Sequence, residues 1–196
     1  MYIKRYMKEN KFNIYLYIIL IIIGVIFGVC LFDKISVNEK NEIANLYKNS
    51  VKINNQSVET VEISNKIIKY NLQMSVVIIM MGLFVFGRFG LLFCSFFIGL
   101  NIGINNSIIY SLLNNSTWIK VAIFYTLINI IYIIIYGILV IFNYNFSKDL
   151  YYLIDKENIK KNLIMFLIYN VLIIFLLIIP IIFEIVLNHN LLNNII

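Results

Sequence analysis

Five long apolar runs without a charged residue divide this chain: Phe12–Phe32, Asn71–Gly87, Phe89–Leu113, Val121–Phe142 and Leu163–Phe183. Each falls within the roughly 17–25 residues that a helix needs to cross a bilayer. Isoleucine is frequent in them, and in water its β-branch would favour strands. In lipid, however, only a helix or a closed barrel satisfies its own backbone, and runs of this length are helices. The pattern predicts an all-α, polytopic membrane helix bundle with about five transmembrane helices, forming a single integral membrane domain over residues 1–196.

The breaks between runs carry the next layer of information. Gly87-Arg88-Phe89-Gly90 separates the second and third runs, with Arg88 marking the turn and two glycines easing it. A helical hairpin is expected there, because a stretch of that combined length is too long for one crossing. The segment 33–69 is polar and forms a large outer loop. In it, Ser36-Val37-Asn38-Glu39 is a capping box, with serine at the N-cap and glutamate three residues on. Ile43, Leu46, Tyr47 and Val51 then recur at helical spacing, which predicts an amphipathic outer-loop helix near Val37–Val51. Two roles fit it: a surface for an extracytoplasmic partner, or a connector tucked onto its own bundle.

Composition agrees with a lipid environment. The chain is 61% hydrophobic and 13% charged, with a mean hydropathy of +0.88, whereas ordinary soluble domains are about 25% charged. The net charge of +6 accompanies many Ile, Asn, Lys and Tyr residues, and is read as a record of membrane topology rather than of nucleic-acid binding. Lys4, Arg5, Lys8 and Lys11 precede the first run, which is too long for a signal-peptide core and is expected to be an uncleaved anchor. With that tail inside, Arg88, Lys148, Lys156, Lys160 and Lys161 also fall on the cytoplasmic side, and no Lys or Arg follows the fifth run. The N-terminus is therefore expected in the cytoplasm and the C-terminus outside.

Candidate chemistry is sparse. One histidine, His189, stands near Glu184, too few ligands for a zinc site, so no metal and no cofactor is expected. Glu39/Glu42 and Glu59/Glu62 are spaced like carboxylates on one charged helix face, amid lysines, and are read as solvated. No catalytic set emerges, and an enzyme is not expected. Cys30 and Cys94 lie in runs that would place them roughly 20 Å apart along the membrane normal, so both should be free thiols. Glu184, one turn after Pro180, is the most informative ionisable residue: a carboxylate at membrane depth has either a functional or interhelical role, or it meets water at the interface. Gly24 and Gly28, and Gly99 and Gly103, form two GxxxG patterns that favour close helix packing, and Asn101, Asn129 and Tyr136 are placed to hydrogen-bond between helices. A transporter or permease subunit is the alternative to a non-catalytic role, with Glu184, Asn101 and Asn129 as its candidate polar path.

The order and spacing of these elements resemble the stage II sporulation protein M family over roughly Tyr15 to Leu192. The resemblance is carried by Gly24-Val25-Ile26-Phe27-Gly28 in the first run, Asn71-Leu72 with Gly82 and Gly87 in the second, Gly99 and Gly103 in the third, Asn129 and Tyr136 in the fourth, and Glu184 with the tail ending in Leu191-Leu192. Leu127 and Ile134 stand where family members often carry proline. The resemblance implies a membrane scaffold at the sporulation septum. Its partners would be membrane lipid and the peptidoglycan hydrolases stage II sporulation proteins D and P. No nucleic acid is implied, and self-association remains open.

Overall fold

The computed structural model describes residues 10–36, 38–40, 42, 59–112, 118–153 and 159–195. Five long helices organise them: α1 (Lys11–Lys34), α2 (Glu59–Gly82), α3 (Gly87–Leu112), α4 (Trp118–Leu153) and α5 (Ile159–Ile195). Among the described residues there is no strand, so the fold is the polytopic helical bundle that the apolar runs predict.

Four helices contain stretches long and apolar enough to cross a membrane: Lys11–Lys34, Gly87–Ile108, Ile123–Leu150 and Lys161–Leu187. They are apolar nearly all round, and their outward faces expose large aliphatic and aromatic side chains such as Ile22, Ile26, Phe93, Ile134, Leu172 and Phe175. In water such a surface would aggregate; in lipid it is the solvated face. The buried face of α1 is narrow, formed by Tyr17, Ile21, Gly24, Gly28 and Phe32 at helical spacing.

α2 differs in kind. Its N-terminal half carries Lys66 and Lys69, and only its C-terminal half, from Asn71 on, continues the second apolar run. It packs against α3, α4 and α5 with one face, on which Asn71, Ser75 and Ile78 are buried, while Lys66, Lys69, Gln73, Val76 and Val77 are exposed.

Helix directions follow from the pairings. Ile21 and Val25 lie against Gly99 and Gly103, so α1 and α3 run parallel. Asn71 meets Tyr136 and Phe84 meets Ser147, so α2 and α4 run parallel. Tyr132 meets Glu184 and Asn143 meets Asn170, so α4 and α5 run antiparallel; Asn13 meets Asn145 and Tyr17 meets Ile133, so α4 also runs antiparallel to α1 and hence to α3. The five helices therefore alternate, and the start of α1 and the end of α5 lie at opposite ends of the bundle. Lys11, Arg88, Lys160 and Lys161 all open odd-numbered helices, which gathers them at one end; Lys4, Arg5 and Lys8 lie outside the described residues.

Several boundaries differ from the sequence expectation. The break between the second and third runs is at 83–86, not at Gly87-Arg88-Phe89-Gly90, and Gly87 opens α3. α2 closes through hydrogen bonds from Leu83 N–H to Ile79 and Met80 carbonyls and from Phe84 N–H to Met81 O (3.2 Å). No described glycine has a positive φ. The glycines act here by lacking a Cβ, since one at Gly87 would strike the Met81 carbonyl and one at Gly90 the Met81 sulfur. α4 and α5 also outrun the apolar stretches 121–142 and 163–183. At ~1.5 Å per residue each exceeds ~50 Å, longer than the hydrocarbon core of about 30 Å. α5 passes through Pro180, which is fully buried. Cys30 and Cys94 are free, the first exposed and the second buried.

The capping box forms beyond the end of α1. Ser36 Oγ accepts from Glu39 N–H at 3.3 Å, and Ser36 N–H and Oγ donate to the Glu39 carboxylate at 3.0 and 2.7 Å. Residues 38–40 are helical; most of the expected Val37–Val51 helix lies outside the described residues. Ser36 holds the Glu39 carboxyl below its ordinary value, chiefly through the hydroxyl. Because the folded value is depressed, the cap is intact above the ordinary carboxylate range and is lost as pH falls through the lowered value. Ser36→Ala is expected to return the Glu39 titration, followed by NMR of its carboxyl carbon, to the ordinary range; an unchanged titration would contradict the cap.

Candidate functional site

Polar residues on one face of α4 recur as Tyr125, Asn129, Tyr132 and Tyr136, at helical intervals of four, three and four. That face turns toward a cavity of about 200 Å³. α2 contributes Lys66, Tyr70 and Asn71, α3 contributes Asn101 and Asn105, and α5 contributes Glu184, with Ile67, Ile98 and Ile102 completing the wall.

A chain of hydrogen bonds runs along it. Tyr132 O–H donates to the Glu184 carboxylate at 2.7 Å. Asn71 Nδ2 donates to the Ile67 carbonyl at 2.9 Å and reaches Tyr132 Oη at 3.4 Å. Tyr136 O–H donates to Asn71 Oδ1 at 2.8 Å. Asn71 thus couples α2 to α4, with α5 joined through Tyr132, and its side chain is 5% exposed, so each partner spares the others an unsatisfied polar group. Tyr132 and Tyr136 stack with ring centroids 6.2 Å apart. Nearby, Asn129 Nδ2 donates to Asn106 Oδ1 at 2.9 Å, tying α4 to α3. The network reaches from Glu184, close to the end of the α5 span, to Tyr136, near the middle of the α4 span.

The glycines predicted for packing meet at a different place. A Cβ at Gly24 would fall on the Phe96 carbonyl and one at Gly28 on that of Leu100. Reciprocally, one at Gly99 would fall on the Ile21 carbonyl and one at Gly103 on that of Val25. The two GxxxG faces are thus pressed together backbone to backbone. Tyr17 adds to the seam by donating to the Ile133 carbonyl of α4 at 2.8 Å, its ring packed over Gly137.

At the opposite end of the bundle lies a second polar cluster. Asn143 and Asn170 are 0% and 1% exposed, and Asn143 Nδ2 donates to Asn170 Oδ1 at 2.7 Å. Each amide also donates to its own preceding turn, at Leu139 O and Phe166 O. Gly82 makes room for this pair, since a Cβ there would overlap Asn143 Oδ1. Ser147 Oγ donates to the Phe84 carbonyl, anchoring the 83–86 turn, and Asn145 Nδ2 donates to Asn10 Oδ1 at 2.8 Å. Between the two polar clusters lies an apolar layer of Ile78, Leu139 and Leu177, each at most 2% exposed.

Of the residues singled out in the sequence, Asn101, Asn129, Tyr136 and Glu184 share a region, three helices deep. The four glycines form the α1–α3 seam. Tyr132, the donor to Glu184, and the Asn143–Asn170 pair were not singled out, although the polar repeat Tyr125, Asn129, Tyr132, Tyr136 within an apolar run marks the first. Among the described residues no three of His, Cys, Asp and Glu converge as a metal site would require.

The family model described as stage II sporulation protein M matches residues 17–187, from the buried face of α1 to the end of the α5 span. No curated protein and no solved structure matches the chain.

Proposed function

The chain belongs to the stage II sporulation protein M family, and from that premise we propose that this sporulation membrane protein is a non-catalytic scaffold of the engulfment machinery. It holds the septal peptidoglycan hydrolases, stage II sporulation proteins D and P, at the sporulation septum, with its N-terminus in the cytoplasm and its C-terminus outside. The observation that carries this reading, with the family match, is the architecture. Buried polar groups are spent on joining helices, and the segment after α1 starts a new helix through the Ser36–Glu39 cap. That helix start stands just past the end of a membrane span, where it presents a surface to a partner. Holding weakly bound enzymes on one membrane patch raises their effective concentration without any chemistry in the bundle.

Deleting residues 38–51 in sporulating cells tests this. The expected result is a bundle still inserted in the membrane that no longer co-purifies with the two hydrolases and no longer gathers them at the septum. Undiminished capture of both enzymes by the deletion variant would contradict the outer-segment contact.

The polar cavity favours one second reading, a permease subunit. Against it, the apolar layer of Ile78, Leu139 and Leu177 closes the bundle beneath Tyr136. Solute flux in reconstituted vesicles that is lost on Glu184→Gln would favour transport over scaffolding.

A further inference from the structure

α2 has an outward side as well as a buried one. Opposite Asn71, Ser75 and Ile78, which face the bundle, the positions Asn65, Lys69, Gln73, Val76 and Met80 recur at helical spacing and are all exposed. The inner half of this stripe is apolar and suits lipid. The outer half does not. Because α1 and α3 run parallel, α2 crosses the membrane to connect them, and it closes at Gly82, at the end where Arg88 lies. Counted from Gly82, Gln73 lies ~14 Å and Lys69 ~20 Å into a hydrocarbon core of about 30 Å. A lysine at membrane depth is costly and ordinarily turns toward protein, yet Lys69 turns away from its own bundle. Among the described residues neither Lys69 nor Gln73 has a hydrogen bond or an ion pair. The neighbouring positions one turn from Lys69 are Asn65, Lys66, Leu72 and Gln73, none of them acidic. The lysine stem can lift its ammonium toward the outer interface. The Gln73 amide is shorter and a turn deeper, and lipid gives it nothing to bond.

We propose that this outward stripe of α2 is a docking face for a transmembrane helix of another protein, one that carries a carboxylate in its outer half, opposite Lys69, and a hydrogen-bonding side chain one turn deeper, opposite Gln73. The occupant follows from charge. A second copy of this chain joined through the same stripe would set Lys69 beside Lys69. It also has no acid to bring: the five apolar runs contain none, and Glu184, just beyond the fifth, already accepts from Tyr132 in the cavity. Lys66, at the margin of the stripe and on the cavity wall, adds charge of the same sign. Against an acidic helix, Lys69 gains a counter-ion and Gln73 a partner, while Val76 and Met80 supply the packing that drives helix association in lipid. The contact goes beyond the outer-segment contact proposed above and uses none of residues 38–51, so either can fail without the other.

The test places the full chain in phosphatidylcholine vesicles with synthetic leucine-rich transmembrane peptides as probes, both partners labelled for energy transfer. One peptide carries Glu and, a turn deeper, Gln at the matching depths; the other carries leucine at both. The Glu/Gln peptide should associate about tenfold more tightly than the leucine peptide. Lys69→Met should bring it down to the level of the leucine peptide and Lys69→Arg should keep it. Both variants should retain helix content and unfolding midpoint, since no described side chain bonds to Lys69. Gln73→Leu should lose about threefold, the equivalent of one hydrogen bond between membrane helices. Equal association of the two peptides with the wild-type chain overturns the proposal, as does a preference that survives in folded Lys69→Met. A preference abolished by adding phosphatidylglycerol assigns Lys69 to lipid phosphate and also overturns it. Self-association of the chain without peptide, lost in Gln73→Leu, gives the stripe to a second copy and contradicts the acidic partner.

Discussion

Gly99→Val is expected to loosen α1 from α3 and to lower the unfolding free energy by about 1–3 kcal/mol, the usual cost of overpacking. The magnitude follows from what the new side chain would meet. A Cβ at Gly99 lands on the Ile21 carbonyl, a backbone atom fixed in the middle of an apolar helix, so no rotamer change relieves the overlap. The same holds for Gly24, Gly28 and Gly103, whose neighbours are the carbonyls of Phe96, Leu100 and Val25. Lipid gives no hydrophobic drive for helix association, so close backbone packing is what holds α1 in place. Unfolding in mixed micelles, followed by helix content, measures the loss. Ile22→Val on the lipid-facing side of α1 is the control, since Ile22 is 52% exposed and should be nearly neutral. Equal midpoints for Gly99→Val and Ile22→Val would show that the seam is not tight.

Asn143→Leu carries the second large effect. It removes the donor to Asn170 Oδ1 and leaves that buried amide oxygen without a donor, at a cost of about 1–3 kcal/mol. Leucine keeps the γ-branch of asparagine, so the space over Gly82 that Asn143 fills stays filled and the loss is that of the polar pair. Asn170→Leu should cost a similar amount by the same mechanism. The double variant should be less damaging than the two singles together, with a coupling energy near the ~0.6–1.7 kcal/mol measured for such bonds within membranes. Strict additivity in the double-mutant cycle would mean that the two amides do not act as a pair.

The apolar runs made the bundle legible, because length and the absence of charge decide the matter in lipid without any periodicity. The ends were harder to read. Leu83-Phe84-Val85-Phe86 form the turn yet are as apolar as the helices beside them, so no composition change marked the break, and Gly87 and Gly90 drew attention to the wrong side of it. α4 runs on past Phe142 because Asn143, Asn145 and Ser147 are buried among other helices or paired with them; judged by hydropathy alone they look like the end of a span. α2 is harder to read, since Lys66 and Lys69 are exposed as their charge suggests, yet Tyr70 and Asn71 beside them line the cavity.

The cavity itself was half legible. Asn129 and Tyr136 stand out because they are polar and deep in an apolar run, and Glu184 because it is charged. The Tyr132–Glu184 bond joins residues 52 positions apart, and it depends on the register with which α5 packs along α4. No local pattern in either helix fixes that register. The reciprocal fit of the two GxxxG faces is similar: each motif is visible alone, but their parallel alignment depends on α2 returning the chain across the bundle between α1 and α3.

That alternation of helix directions underlies every role discussed above, and two reporter positions test it. Fusing a compartment-sensitive reporter before Lys11 in one strain and after Ile195 in another should give opposite signals, with the N-terminal fusion active in the cytoplasm and the C-terminal fusion active outside. Signals from the same side of the membrane for both fusions would contradict the five-helix alternation, and with it the placement of the Ser36–Glu39 segment and the Glu184 cavity at the outer end.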